Sequence, residues 1–89
     1  MRAIITVTGR DSMGIIAKVS GECAQFGANI IDISQSVLKE YFAMIMLCEI
    51  DSLAIPFTEF VDKMSELGHK CGLEIRTMHE EIFNSMHRI

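Results

Sequence analysis

The stretch that decides the fold is TGRDSMG, residues 8–14, because it separates two different hydrophobic periodicities. Before it, apolar residues alternate between two faces along residues 2–8, which predicts a strand. After it, apolar residues recur every three or four positions from Ile15 onward, which predicts a helix. The stretch is therefore interpreted as a short loop that leads from a strand into a helix.

A loop of this kind can hold a ligand. The start of a helix exposes N–H groups that have no partner within the helix, and such groups can bind an anion or a carboxylate. Asp11 can instead accept hydrogen bonds from them as a cap, and Gly14, which lacks a Cβ, lets a ligand or another backbone approach closely. On the loop alone, a capped helix with a tight turn is the simpler interpretation, because caps are common and ligand sites are few.

The next part of the chain predicts a helix and a hairpin. The helix covers residues 12–26 and ends at Gly27, a residue typical of helix C-termini. Strands follow over residues 29–38 and 41–50, joined by a turn at Lys39 and Glu40, although these are poor residues for a two-residue hairpin turn. The predicted apolar face of the helix consists of Ile16, Val19, Cys23 and Phe26.

The last third of the chain repeats a helix and a strand. A second helix starts near Pro56 and ends at Gly68, and a fourth strand covers residues 73–78. The tail, residues 79–89, is predicted as a short C-terminal helix, because acidic residues in its first turn and basic residues in its last suit the helix dipole. The apolar face of the second helix consists of Phe57, Phe60, Val61, Met64 and Leu67.

This β-α-β-β-α-β order predicts the ferredoxin-like fold of the α+β class. Two helices would cover one face of a four-stranded antiparallel sheet, and the tail would add an extra C-terminal helix. Right-handed crossovers place the first and third strands in the middle of the sheet. Because composition shows no linker and no break, residues 1–89 are predicted to form a single domain.

The composition argues against several classes of protein. The formal net charge is −4 and Lys and Arg do not cluster, which argues against nucleic-acid binding. No run of about 18 apolar residues is present, which argues against a transmembrane helix. Cys23, Cys48 and Cys71 are odd in number and lack CxxC spacing, so they are interpreted as buried thiols in a reducing cytoplasm.

Few side chains could carry catalysis. His69 follows a predicted helix end, and His79 and His87 are eight positions apart, which is too far to chelate one ion as an i, i+4 pair would. Ser12 has no His near it in sequence, and Asp32 falls on a polar strand face. We therefore expect a protein that is not an enzyme and has no metal site and no cofactor.

The third strand is apolar on both faces, yet two helices can cover only one face of the sheet. The other face needs a cover, because large apolar patches seldom remain exposed to water. The tail helix, a second subunit or both could supply it. A homodimer is favoured, because isologous dimers are the commonest assembly, and a tetramer stays open.

Two segments, GRDSMGIIAKVS (residues 9–20) and GANIIDISQ (residues 27–35), together resemble the ACT domain, a small ligand-binding regulatory module of amino-acid metabolism. The shared pattern is D-x-x-G-I at the helix start and A-N-I-x-x-I at the entry to the second strand. The ending HEEIFNSMHRI (residues 79–89) and F-x-M-I-M (residues 42–46) resemble, more specifically, a group of stand-alone bacterial and archaeal ACT proteins of uncharacterised function. The likeness covers the whole chain.

The resemblance implies ligand binding rather than catalysis. In ACT domains, effector amino acids bind where subunits meet, between the loop after the first strand and the start of a neighbour's second strand. The N–H groups would hold the ligand's carboxylate, and Asp11 or Asn29 would accept from its ammonium group. Carried over by position, the implied binding residues are Asp11, Ser12, Met13, Gly14 and Ile15 from one side and Asn29, Ile30 and Ile31 from the other.

Regulatory ACT domains usually come attached to an enzyme or a DNA-binding domain, and this sequence shows neither. The signal would therefore pass through a regulator protein, an enzyme partner or the dimer itself. The nearest analogue is the glycine cleavage system transcriptional repressor, which is made of ACT modules. Two alternatives remain: a pure interaction or dimerisation module without a ligand, and an acylphosphatase-like enzyme of the same fold that would use Arg10 and Asn29, although its phosphate-binding loop is absent.

Overall fold

Strands and helices alternate along the chain as predicted, in a computed structural model that describes residues 1–10 and 13–86. The sheet order is β2-β3-β1-β4, and all neighbouring strands are antiparallel. The ferredoxin-like α+β fold, with the first and third strands central and an extra C-terminal helix, is confirmed. The elements are β1 (Arg2–Arg10), α1 (Ile15–Phe26), β2 (Asn29–Leu38), β3 (Tyr41–Glu49), α2 (Phe57–Cys71), β4 (Leu73–His79) and α3 (Glu80–Met86).

The core lies between the two longer helices and one face of the sheet. Along β3 the even-numbered residues are buried and the odd-numbered residues are mostly exposed, as expected when successive side chains point to opposite faces. Phe60 and Met64 of α2 are completely buried against this face. The sheet contributes Ala3, Ile5, Val7, Phe42, Met44, Met46, Cys48, Leu73 and Ile75 to the core.

The predicted apolar face of α1 is confirmed at Val19, Cys23 and Phe26 and was wrong at Ile16, whose place in the core Ile15 takes. The helix begins at Ile15 rather than at residue 12, and Ile15, Val19 and Cys23, spaced four apart, point into the core. Phe26 is half-buried, and Ile16 remains 38% exposed at the edge of the packed face. Ile16 instead lines a groove together with residues at the end of β2.

The predicted end of α2 at Gly68 was also wrong. The helix continues to Cys71 and ends at Gly72, which adopts the left-handed conformation at φ 69°. Gly68 is buried within the helix, and a Cβ there would lie 2.7 Å from the carbonyl oxygen of Leu73. Gly68 therefore allows α2 to approach β4 closely, and His69 lies within the helix rather than beyond it.

The predicted turn at Lys39 and Glu40 joins β2 and β3 as a hairpin. Lys39 is the only described residue other than glycine with a positive φ, at 55°. This conformation is disfavoured for a residue with a Cβ. The position of the turn was correctly predicted. The positive φ of Lys39 agrees with the prediction that these residues are poorly suited to a two-residue hairpin turn.

The outer face of the sheet is covered only in part. α3 packs against β1 and β4, and Ile4 on this face is buried. Leu38, Tyr41 and Ile45, on the β2 and β3 side of the same face, remain exposed. The predicted helical tail exists over Glu80–Met86, whereas His87, Arg88 and Ile89 lie outside the described residues.

Candidate functional site

α1 starts just beyond the end of β1, and none of the described side chains caps its N-terminus. Gly14 occupies the N-cap position at φ 82° and, being glycine, supplies no side-chain hydrogen bond. The first hydrogen bond of the helix runs from the N–H of Lys18 to the carbonyl oxygen of Gly14, at 3.0 Å. The N–H groups of residues 15–17 therefore precede the first helical hydrogen bond, and α1 has no acidic residue in its first turn.

A groove of about 490 Å³ lies beside this helix start. Residues 14–17 form one wall and residues 35–37 of β2 form the other, while Phe42 of β3 also lines the groove. Phe42 is only 5% exposed and closes the groove on the core side. None of the described residues that line it has an ionisable side chain. The groove thus places the first amides of α1 beside a mostly apolar wall.

The topology explains why these residues meet. β1 and β2 both pair antiparallel with β3, so they run parallel to each other and their carboxyl ends lie at the same end of the sheet. α1 starts at that end and returns the chain to the opposite end, where β2 begins. The carboxyl end of β2 therefore lies next to the start of α1.

Only part of the implied ligand site comes together within one chain. Gly14 and Ile15 line the groove, while Met13 is 94% exposed and does not line it. Asp11 and Ser12 lie outside the described residues, so the Asp11 cap and the roles of both side chains stay predictions.

The other implied ligand residues lie at the start of β2, at the opposite end of the sheet. Asn29 is paired with Glu49 there, about 20 Å along the strand from Gln35, the nearest groove residue of β2, at the usual strand rise. The register shifts between Ile30 and Asp32, which makes Ile31 the extra residue of a β-bulge. Ile30 packs partly against the core, whereas Asn29 and Ile31 are exposed. Within one chain, these residues cannot share a ligand with Gly14.

Sequence reasoning missed most of the groove, namely Ile16, Ala17, Gln35, Ser36, Val37 and Phe42. The signal was available in the predicted topology. Once a strand-helix-strand unit is assigned with parallel strands, the second strand must end beside the start of the helix. The residues just before the Lys39 turn were therefore identifiable as neighbours of Gly14.

A second cavity, of about 570 Å³, lies at the opposite end of the sheet, between the strand ends and α3. It is lined by charged groups that include Arg2, Glu49, Glu80 and Glu81. The Arg2 guanidinium is already paired with the Glu80 carboxylate at 2.9 Å, and the N-terminal ammonium with Asp51 at 2.7 Å. With its cations paired and two further carboxylates present, this cavity suits a carboxylate ligand less well than the groove.

The catalytic candidates do not converge within the described chain. Arg10, at the end of β1, is paired with Tyr41, whereas Asn29 lies at the other end of the sheet, so the pair forms no acylphosphatase-like site in one subunit. His79 stacks on Phe57 at 4.0 Å between ring centroids. His69 and Asp32 are exposed, and Ser12 and His87 lie outside the described residues.

The cysteines that the structure describes are free thiols, and Cys23 and Cys48 are fully buried. A hydrogen bond with Cys48, together with burial, raises the pKa of the Cys23 thiol far above its usual range. The thiolate is the reactive form of cysteine, and the raised pKa keeps Cys23 protonated. Cys23 is therefore a packing residue of the core. In residues 1–10 and 13–86, no three His, Cys, Asp or Glu side chains are close enough together to hold a metal ion.

Within the part of the chain that the structure describes, no helix is both long and apolar enough to span a membrane.

β2 is an edge of the sheet over ten residues, and its outer side pairs with no described strand. It contains no proline or lysine, the residues that commonly protect such edges, and it exposes Ile31, Ile33 and Val37. The groove opens beside this edge.

The sequence model of the ACT domain matches residues 2–78, and ACT domains are generally regulatory modules that bind small molecules. A UPF0237 protein of Clostridium acetobutylicum is 46% identical over 89 residues, which span the whole of both chains.

Among solved structures, an ACT domain protein from Streptococcus pneumoniae superposes with a TM-score of 0.82 at 41% identity, covering 98% of each chain. A protein described as a candidate glycine cleavage system transcriptional repressor gives 0.70 at 27% identity, covering 85% of this chain and 43% of that one. With its fold, its family match and its full-length relatives in agreement, this chain belongs to the ACT domain family.

Proposed function

We propose that this chain is a cytoplasmic regulatory module that binds a free amino acid, or a similar small carboxylate, between two of its copies and signals through a protein partner. The single observation that carries the proposal is the groove at the start of α1, which opens beside an edge strand that contains no proline or lysine. The groove offers N–H donors to the carboxylate. The free thiols support a reducing compartment.

The proposed dimer joins two β2 edges across a two-fold axis. Pairing through the exposed edge would bury Ile33 and satisfy the free backbone groups of both strands. If the antiparallel strands overlap along all ten residues, Asn29 of one copy lies opposite Leu38 of the other, next to that copy's groove. The two halves of the implied site, separated in one chain, would then meet across the interface.

A panel of the twenty amino acids, screened by thermal denaturation, tests ligand binding. A true effector at about 100 times its dissociation constant stabilises the folded protein by about 2.7 kcal/mol, which raises Tm by several degrees. If no amino acid moves Tm while sedimentation still shows a dimer, the chain is an interaction module instead.

Two matched variants test the interface. Ile33→Lys places a charge on the β2 edge, whereas Ile45→Lys places one on the outer face of β3; the two isoleucines are 37% and 45% exposed. We expect Ile33→Lys to sediment as a monomer and to lose the ligand-induced rise in Tm, while Ile45→Lys keeps both. Dissociation by Ile45→Lys alone would place the interface on the open sheet face and contradict the proposed site.

A further inference from the structure

The lining of the groove also bears on the side chain of its ligand, an inference that rests on the proposed function. We propose that the ligand is an amino acid with an uncharged, apolar side chain, such as leucine, isoleucine, valine or methionine. Two observations support the proposal. Both walls of the groove expose an apolar side chain, and none of the described lining residues is ionisable.

The two walls each expose an apolar side chain. Ile16 on α1 is 38% exposed and Val37 on β2 is 54% exposed, and both line the groove. Val37 is paired with Phe42, which is buried on the helix side of the sheet, so Val37 also faces that side. The helix start, the strand end and Phe42 thus form an apolar channel beside the amide donors.

This apolar surface is in contact with water when the groove is empty. Covering it with an apolar ligand side chain removes apolar area from water on both partners, which is favourable. Ligands without a side chain would leave Ile16 and Val37 as exposed as before. The groove therefore discriminates by side chain rather than by the amino-acid backbone alone.

Charged ligand side chains find no counter-charge among the described residues of this lining. Among the described residues of the groove, the polar side chains are those of Gln35 and Ser36, and neither is ionisable. A carboxylate or ammonium group placed there would lose water without gaining a counter-charge, which is unfavourable. The two described walls therefore disfavour aspartate, glutamate, lysine and arginine.

Calorimetric titration of the full chain with leucine, glycine, aspartate and lysine tests the proposal. Burying a leucine side chain predicts binding about tenfold or more tighter than that of glycine. Aspartate and lysine should bind no better than glycine. Glycine or a charged amino acid binding as tightly as leucine would overturn this inference while leaving the proposed function standing, whereas the absence of binding by any amino acid would overturn both.

A matched pair of variants assigns the selectivity to the groove. Val37→Thr keeps the shape of the side chain but makes the wall polar, and Ile45→Thr makes a similar change at an exposed β-branched residue on the opposite face. We expect Val37→Thr to weaken leucine binding several-fold and leave any glycine binding unchanged. Ile45→Thr should change neither, and equal effects of the two variants would contradict the proposal.

Gln35 lies on the same face of β2 as Val37 and provides a gain-of-binding test. Gln35→Lys places a cation in the lining and should raise the affinity for aspartate and glutamate several-fold relative to leucine. Sedimentation of the variant would verify that its assembly is unchanged. A Gln35→Lys variant with unaltered preference would show that the ligand side chain lies elsewhere and would overturn the proposal.

Discussion

The two ends of α1 carry glycines with nearly the same backbone conformation but opposite surroundings. Gly14 at the start has φ 82° and ψ 12°, and Gly27 at the end has φ 83° and ψ 19°. A Cβ added at Gly14 would meet no atom of the described residues within 4 Å, whereas one added at Gly27 would lie 2.5 Å from the carbonyl oxygen of Ser52. The same residue type therefore keeps one end of the helix open and lets the other end pack tightly.

Hydrogen bonding follows the same division. At the closed end, the N–H of Ala28 donates to the carbonyl oxygen of Cys23 at 2.9 Å, and the N–H of Ala54 donates to that of Phe26 at 2.8 Å. These bonds satisfy carbonyls that a helix end leaves free and connect α1 to the segment before α2. At the open end, the first amides of α1 lie beside the groove, and no described side chain accepts a hydrogen bond from them. The described backbone hydrogen bond between α1 and the segment before α2 therefore lies at the end away from the proposed ligand.

Gly27→Ala should produce the largest effect. The added Cβ both disfavours the left-handed conformation and collides with the Ser52 backbone, so we expect a loss of about 2–4 kcal/mol in unfolding free energy. Urea denaturation measures the loss.

Labelling of the buried Cys23 thiol should also accelerate in Gly27→Ala, because Cys23 lies in the last turn of α1 and is protected only while that end is packed. Half-exposed Cys71 provides the internal control. A loss of unfolding free energy below about 1 kcal/mol would show that the backbone around Ser52 shifts at little cost. The packing at the two ends of α1 would then differ less than their geometry indicates.

Gly14→Ala should cost about 1–2 kcal/mol, because the left-handed conformation is penalised and no atom of the described residues obstructs the new Cβ. Urea denaturation beside Gly27→Ala gives the difference between the two positions, which isolates the contribution of packing. Cys23 labelling should remain close to that of the parent chain. Equal losses at the two positions would remove the distinction between an open and a closed end.

The sequence predicted the fold well because its strongest signals are local. The strand periodicity, the glycine that ends α1 and the order of elements all depend on neighbouring residues, and they led to the correct sheet order. Gly68 was misread as a helix end because a glycine needed for close approach to β4 looks the same as one needed for a left-handed turn. The distinction depends on a tertiary contact that no local pattern encodes.

The candidate site was predictable only in part for the same reason. Gly14 and Ile15 belong to a local motif, and the structure brings both to the groove. Val37 and Phe42 join them through the strand register, which the hairpin turn sets at a distance from the motif. The bulge at Ile31 was missed because Ile30, Ile31 and Ile33 are all apolar, which hides the change from even-numbered to odd-numbered residues facing the core.

Gly21→Ala should have the smallest effect, and the opposite sign. Gly21 lies between the two ends, inside α1, and a Cβ there would meet nothing within 4 Å. Alanine loses less backbone freedom on folding, so we expect a gain of about 0.5–1 kcal/mol in the same urea experiment. This gain in unfolding free energy gives the reference value for adding a Cβ to α1 where neither a left-handed conformation nor a contact opposes it. A loss instead would mean that another surface, such as that of a second copy, lies against the middle of α1, and the difference between its ends would then depend on assembly.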